Sequence, residues 1–294
     1  MSDLSRRHFL ASTAASALAL GATTASAEPV ARVREPASGG RLKQSVARWC
    51  YGQVALPDLC IAARGMGLAG IDLLARDEWP VVSDHGLTCA MGYPYPKDRD
   101  HFIATGFNDP ANHALLLGEL EDAIPLAAKH HLPNLIAMFG NRNGKSDAEG
   151  IANCVSGLTK IKALAEEQGV TICLELLNSK VDHHDYQGDH TAFGVAVVSA
   201  LDSPRIKLLY DIYHMQIMEG DVIRTIRTHK DHIAHFHTGG VPGRHELDDT
   251  QELDHRGIAR AIADTGFTGF VAHEFEPTAD PLTSLKQAAA TCTV

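Results

Sequence analysis

From Leu42 to the C-terminus, eight short aliphatic and β-branched runs alternate with amphipathic stretches, and nothing else in the chain limits its fold as strongly. The runs fall at 45–50, 70–74, 87–91, 134–139, 170–175, 206–211, 233–237 and 269–274. Helical spacing predicts helices at 57–66, 110–131, 146–168, 190–200, 221–230 and 256–265, with a weaker one at 77–84 that Pro80 interrupts. Gly169 and Gly266 stand where helix C-caps belong. Strands alternating with helices require a parallel sheet covered by crossovers. Eight such units in about 250 residues match an α/β fold of the (β/α)8 TIM-barrel type in a single domain, residues 42–294. An open doubly wound sheet would carry a Gly-rich phosphate turn after its first strand. Cys50-Tyr51-Gly52-Gln53 is not one.

Residues 1–27 have a different character. Arg6 and Arg7 precede an uncharged Ala-, Ser- and Leu-rich stretch that ends in Ala25-Ser26-Ala27, a signal-peptidase pattern. Ser5-Arg6-Arg7-His8-Phe9-Leu10 resembles the twin-arginine export signal of bacteria. The stretch is too short and too rich in Ala and Ser to span a bilayer, which takes about 20 strongly apolar residues. The resemblance implies a protein exported already folded by the twin-arginine machinery, often loaded with a metal or cofactor, periplasmic or secreted, with no membrane attachment after cleavage. Residues 28–41 carry Pro29, Pro36 and Gly39-Gly40 and read as a linker. Six Cys without a CxxC pair are too sparse for a disulfide scaffold and read as buried free thiols.

Composition removes several function classes. The net charge is −10 and only 6% of residues are aromatic, so neither a basic face nor a base-stacking platform for nucleic acid is expected. The chain has 17 His, and eleven lie at or after His183, which directs attention to the C-terminal half.

In a barrel, chemistry sits at the C-terminal ends of the strands. The last four predicted strands end in Glu175, Asp211, His237 and Glu274, each about one βα unit, on the order of 30 residues, after the last. Any one of these could be a solvated acid at a loop start. Four in register on consecutive strands point to a shared rim. Three carboxylates brought together repel and raise one another's pKa. A divalent cation removes that cost. Three oxygen donors and one imidazole suit Mn²⁺ or Mg²⁺, with Co²⁺ or Zn²⁺ also possible. His214 follows Asp211 by three residues, and Arg244 and Glu246 lie in a Gly-rich loop after the seventh strand. Asn178, Lys180, Asp182, His183 and His184 form a wall or lid after Glu175, the His pair reading as exposed or as support. Tyr93-Pro94-Tyr95 and residues 141–144 are further candidates for pocket lining, and His235 is expected deeper inside the barrel.

The stretch from Cys173 to Pro277 resembles the hydroxypyruvate isomerase group of the xylose isomerase-like TIM barrels. The matching segments are Leu174-Glu175-Leu176-Leu177-Asn178-Ser179-Lys180, the run from Leu208 to Asp221 containing Tyr213-His214-Met215-Gln216, Val241-Pro242-Gly243-Arg244-His245-Glu246 and His273-Glu274-Phe275-Glu276-Pro277. The resemblance implies that Glu175 and Glu274 are the acid/base pair as well as metal ligands, and that Asp211 is a ligand. The fourth ligand is commonly Gln in hydroxypyruvate isomerases; His237 at that place is similar to the related ketose 3-epimerases. His214 and Arg244 then resemble the substrate-contacting His and Arg of those enzymes, with Asn178 and Glu246 as further substrate-binding candidates. Homo-oligomers are also implied.

The expected activity is interconversion of small hydroxy-carbonyl compounds or sugars by proton transfer through a metal-stabilised enediolate. The same enolate chemistry could end in elimination, as in a periplasmic keto-glycoside lyase. A non-catalytic sugar-binding protein is a third reading, against which both glutamates speak. A hydrolytic nuclease on the same barrel would need more metals and a basic groove.

Overall fold

In a computed structural model describing residues 40–96 and 101–294, the eight strands close into a parallel barrel in the order β1 to β8, each paired with its neighbours in sequence and β1 with β8. They are β1 (Lys43–Ala47), β2 (Gly70–Leu74), β3 (Thr88–Gly92), β4 (Asn134–Met138), β5 (Thr171–Leu176), β6 (Ile206–Asp211), β7 (Ile233–Thr238) and β8 (Phe270–His273). The predicted signal and most of the predicted linker lie outside the described residues. Among those described, no helix is long and apolar enough to cross a membrane.

The helices are α1 (Leu56–Gly65), α2 (Trp79–Asp84), α3 (His113–Lys129), α4 (Asp147–Gln168), α5 (Thr191–Leu201), α6 (Ile212–Met218), α7 (Val222–His229), α8 (His255–Asp264) and α9 (Pro281–Cys292). Local chemistry sets their limits. Ser146 caps α4 by accepting from Glu149 N, and Gly169 ends it at φ +70°, a left-handed conformation that costs glycine little. In α2, Pro80 occupies the first turn, where its missing N–H had no partner in any case, so the predicted interruption shortens the helix without abolishing it. The short α6 and the C-terminal α9 had no counterpart in the periodicity.

The first strand differs from expectation. It ends at Ala47, and Arg48–Tyr51 turns into a 3-10 helix, closed by Arg48 Nη1 donating to Tyr51 O at 2.6 Å. That turn lifts Trp49 over the barrel mouth. A second irregularity lies between β2 and β3. Ile71 pairs with Cys89 and Asp72 with Met91, so Ala90 is an extra residue, and the register shifts again across Leu73. Leu73 has φ +57°, which costs an L-residue about 1–2 kcal/mol.

Both faces of the sheet are packed. Inside and between sheet and helices runs one apolar core that includes Val46, Ile71, Ile136, Leu174, Leu209 and Phe236. All six cysteines are free and buried in it. His273 faces the helix layer: its Nε2 contacts Gln44 Oε1 at 2.9 Å, and Gln44 in turn donates to Thr293 past the end of α9.

Candidate active site

Glu175, Asp211, His237 and Glu274 meet at the C-terminal mouth of the barrel, all buried, with one donor atom from each within 4.8 Å of the others. Strand geometry explains the convergence. Asp211 pairs with His237 across β6 and β7, and Glu274 N donates to Thr238 O at 2.9 Å, which extends the β7–β8 ladder by one residue. His237 Nδ1 lies 2.6 Å from Glu274 Oε2, 3.4 Å from Glu175 Oε1 and 4.0 Å from Asp211 Oδ2.

Asp211 divides its carboxylate between two tasks. Oδ1 caps α6, accepting from Tyr213 N at 2.8 Å and His214 N at 3.2 Å. Oδ2 is left facing the cluster. Arg244 reaches the same place from the loop after β7, where Gly243 at φ +89° and Arg244 at φ +58° fold the chain back. Its Nη2 donates to Asp211 Oδ2 at 3.0 Å and Glu274 Oε2 at 2.5 Å. The guanidinium lies between the rings of Trp49 and Tyr213, 5.4 and 5.2 Å from their centroids. Trp49 Nε1 donates to the other Glu274 oxygen at 2.5 Å. Glu274 is therefore held at both oxygens.

These contacts set the charge states. Burial raises the Asp211 carboxyl to about 7, aided by Glu274 and Glu175 and opposed by Arg244 and His237. Burial works the same way on Glu274, but Arg244 and His237 outweigh it and hold this carboxyl well below the usual carboxylate range. His214 is pushed down, first by burial and then by Arg244. A neutral His214 agrees with its contacts, since Nδ1 accepts from Asn178 N at 3.1 Å.

The donor set fits a divalent cation. Three buried carboxylates face one imidazole nitrogen, and His237 Nδ1, fully buried, makes no well-formed hydrogen bond among them. Crowding of this kind is relieved by an ion that all four atoms can share. Beside the cluster opens a cavity of about 330 Å³. Glu175, His183, Arg244 and Glu274 form its polar side; Trp49, Leu73, Tyr93, Phe102, Ile103, Ile136, Met138 and Leu177 form the rest.

Other candidate residues occupy different places. His214 is completely buried behind Arg244, 3.2 Å from its Nη1, and does not line the cavity. Asn178 is also buried. Its Oδ1 accepts from Val181 N and Asp182 N, and its Nδ2 lies 2.6 Å from Asp182 Oδ2 and 2.7 Å from His214 Nδ1. It braces the loop after β5 and His214. Residues 141–144 pack away from the cavity, Asn141 bridging to Tyr186 and Arg142 pairing with Asp147 at 2.6 Å. His184 contacts Ser179 O and is exposed, whereas His183 reaches the cavity. Lys180 caps the end of α6 through Ile217 O and Met218 O.

Glu246 points outward, to the loop that leads into α9. Its oxygens accept from Thr278 N, Ala279 N, Thr278 Oγ1 and Ser284 Oγ at 2.8–3.2 Å. Burial opposes the charge, but these donors prevail and bring the carboxyl down to about 2. A depressed folded pKa contributes stability above the ordinary value of 4.5, lost as pH falls toward 2. Glu246→Gln is expected to cost about 1–3 kcal/mol at pH 7. The difference between variant and wild type, read from denaturant melts, narrows as pH drops from 5 toward 3. An equal gap at both pH values would refute this role.

Two residues escaped the sequence reading. Trp49 is hidden in a turn that resembles strand continuation. Asp72 is fully buried inside the barrel, its Oδ2 2.5 Å from His235 Nε2. An acid within Gly70-Ile71-Asp72-Leu73-Leu74 was the available signal.

The family profile for xylose isomerase-like TIM barrels matches residues 75–292. The human protein named "Putative hydroxypyruvate isomerase" is 26% identical over a match spanning 60% of this chain and 65% of that protein, just under two thirds of its length. The Drosophila melanogaster protein of the same name is 35% identical, with 67% of this chain and 74% of that one covered. D-psicose 3-epimerase of Ruminiclostridium cellulolyticum is 32% identical over 41% of this chain and 39% of the epimerase. Among solved structures, an AP endonuclease of family 2 from Brucella melitensis superposes with a TM-score of 0.73 at 21% identity, covering 85% of this chain and 99% of that one. At that identity the likeness concerns the fold alone.

Proposed function

The chain belongs to the xylose isomerase-like TIM barrel family, and we propose that it is a metal-dependent isomerase or epimerase of small hydroxy-carbonyl compounds or sugars. The observation that carries this reading is the placement of Glu175 and Glu274 on one small cavity, with Asp211 and His237 completing a four-donor cluster beneath them. Relatives named isomerases and epimerases support it.

Glu175, Asp211, His237 and Glu274 would hold the divalent ion, which when bound supplies Lewis-acid polarisation of a substrate carbonyl and the adjacent hydroxyl. Glu175 has the freer carboxylate and is placed to take the proton α to the carbonyl. Glu274, steered by Trp49 and Arg244 and ionised at rest, takes the complementary role: it accepts the proton of the adjacent substrate hydroxyl and then returns a proton at the neighbouring carbon or the opposite face, while the proton taken by Glu175 goes back to the substrate oxygen. Arg244 presents a fixed positive charge to oxygens that become negative as the proton leaves. The apolar wall of Leu73, Phe102, Ile136 and Met138 keeps bulk water from competing for the carbanionic carbon.

The test is deuterium exchange. Mn²⁺-loaded protein in D₂O is offered hydroxypyruvate, ketotetroses, ketohexoses and 3-keto-glycosides. At least one should gain deuterium at the carbon next to its carbonyl and yield an isomer or epimer. An elimination product from the keto-glycoside would move the assignment to a lyase. No exchange with any member of the panel, from folded and loaded protein, would refute the proposal.

A further inference from the structure

Behind the ligand His237 lies a second polar group that none of the chemistry above uses. His237 carries its Nδ1 toward the carboxylate cluster, so its Nε2 points down into the barrel. Among the described residues, Asp72 Oδ2 is the one carboxylate oxygen within 4 Å of that nitrogen, at 3.6 Å. The same oxygen lies 2.5 Å from Nε2 of His235, one turn of the pleat below on β7. His235 Nδ1 faces Asn134 Nδ2 at 3.4 Å, and that amide donates to Ala90 O at 2.9 Å. All of these side chains are fully buried or nearly so.

Donor and acceptor capacity gives this line a single sense, although neither contact of Asp72 is a well-formed hydrogen bond. Asn134 Nδ2 can only donate, so His235 Nδ1 accepts and its Nε2 carries the proton toward Asp72. Asp72 can only accept while ionised, so the imidazole of His237 presents N–H to it from Nε2. Without a cation Nδ1, 2.6 Å from Glu274 Oε2, faces an acceptor and carries a proton as well; a cation bound there would displace that proton and take the Nδ1 lone pair, while the Nε2 proton stays directed at Asp72. Backbone irregularity serves the same arrangement. The extra residue between β2 and β3 is Ala90, whose carbonyl takes the Asn134 amide. The second register shift falls beside Asp72, at Leu73 with its left-handed φ of +57°. Burying an acid away from solvent is unfavourable without donors or a nearby cation; the polar groups nearest Asp72 Oδ2 are the Nε2 atoms of His235 and His237, at 2.5 and 3.6 Å.

We propose that Asp72, anchored by His235, is a positioning residue that sets the tautomer and ring orientation of His237 for binding a divalent cation. This rests on the metal-dependent reading of the cluster. Carboxylate–imidazole pairs behind a metal ligand typically change metal affinity by about 10–100-fold when broken.

The test measures Mn²⁺ binding directly, by the loss of the free-ion electron paramagnetic resonance signal, alongside apo-protein melting temperatures. Wild type should bind one Mn²⁺ per chain. Asp72→Asn keeps the shape but leaves one acceptor oxygen for two N–H groups, and its Kd should rise about 10–100-fold while the apo melting temperature changes little. His235→Asn leaves Asp72 in place but loosens it, and serves if the first variant does not fold; a smaller rise in Kd, below about tenfold, is expected. Unchanged Mn²⁺ affinity in a folded variant overturns the proposal but leaves the metal-dependent reading standing. Two Mn²⁺ per wild-type chain would overturn it too, by making Asp72, His235 and His237 a second metal site. A wild type that binds no Mn²⁺ overturns both.

Discussion

Glu175→Gln and Glu274→Gln are each expected to fold and, at saturating Mn²⁺, to lose about 10²–10⁴-fold in turnover and in solvent deuterium exchange. That range corresponds to roughly 3–6 kcal/mol of barrier. The substitution keeps size and one acceptor oxygen but removes the group that carries the proton. The two variants should differ in stability. Glu175 contacts the cluster through His237 at 3.4 Å and makes no contact with Arg244, so its neutralisation relieves repulsion on Asp211 at little structural cost. Glu274 is held by Trp49 and Arg244 at 2.5 Å each, and in Glu274→Gln either a carboxamide N–H faces a donor or the Trp49 contact is given up. Arg244 then keeps Asp211 as its remaining carboxylate partner. Glu274→Gln should therefore melt lower than Glu175→Gln. Mn²⁺ titrations of both variants separate loss of the ion from loss of the proton carrier. Wild-type exchange by either loaded variant would sink the two-glutamate mechanism.

What could be read from the chain, and what could not, follows from how each residue is placed. Glu175, Asp211, His237 and Glu274 sit at strand ends, where a period of two and one parallel register determine direction, so alternation alone brings them to one rim. Trp49 and Asp72 depend on exceptions to that period. A 3-10 turn ends β1 early, and two register shifts bend β2 against β3; neither leaves a mark in an apolar run. Asn178 and Glu246 show a different limit. Both follow strand ends and are polar, which made them candidates for substrate contact. Each is instead occupied by backbone N–H groups of its own or a neighbouring loop. Buried loop amides need acceptors as much as a substrate does, and spacing does not distinguish the two uses. The helix α6 was missed for a related reason: it is seven residues long and begins on the cap that Asp211 provides.

Removal of the cation should abolish exchange and lower stability while leaving the barrel folded. Asp211, Glu175 and Glu274 are confined within 4.8 Å in a buried site, with Arg244 the one guanidinium among the described residues that pairs with them. Burial, reinforced by the acidic neighbours and opposed by Arg244 and His237, raises the Asp211 carboxyl to about 7, whereas Arg244 and His237 hold Glu274 ionised. Folding must offset the cost of confining these carboxylates in the apo protein. An ion that binds the folded cluster and not the unfolded chain adds about 2.7 kcal/mol at 100 times its Kd and about 4.1 at 1,000 times. For a domain of this size each kcal/mol raises the melting temperature by about 2–4 °C. Protein dialysed against a chelator should thus melt roughly 5–16 °C below protein in excess Mn²⁺ and exchange no deuterium, and restored Mn²⁺ should recover both. Mg²⁺ and Co²⁺ are expected to act in the same direction on an oxygen-rich donor set. If chelated protein retained its activity and melting temperature, the carboxylates would have to be satisfied by Arg244 and a protonated His237 alone, and the glutamates would act without Lewis-acid assistance.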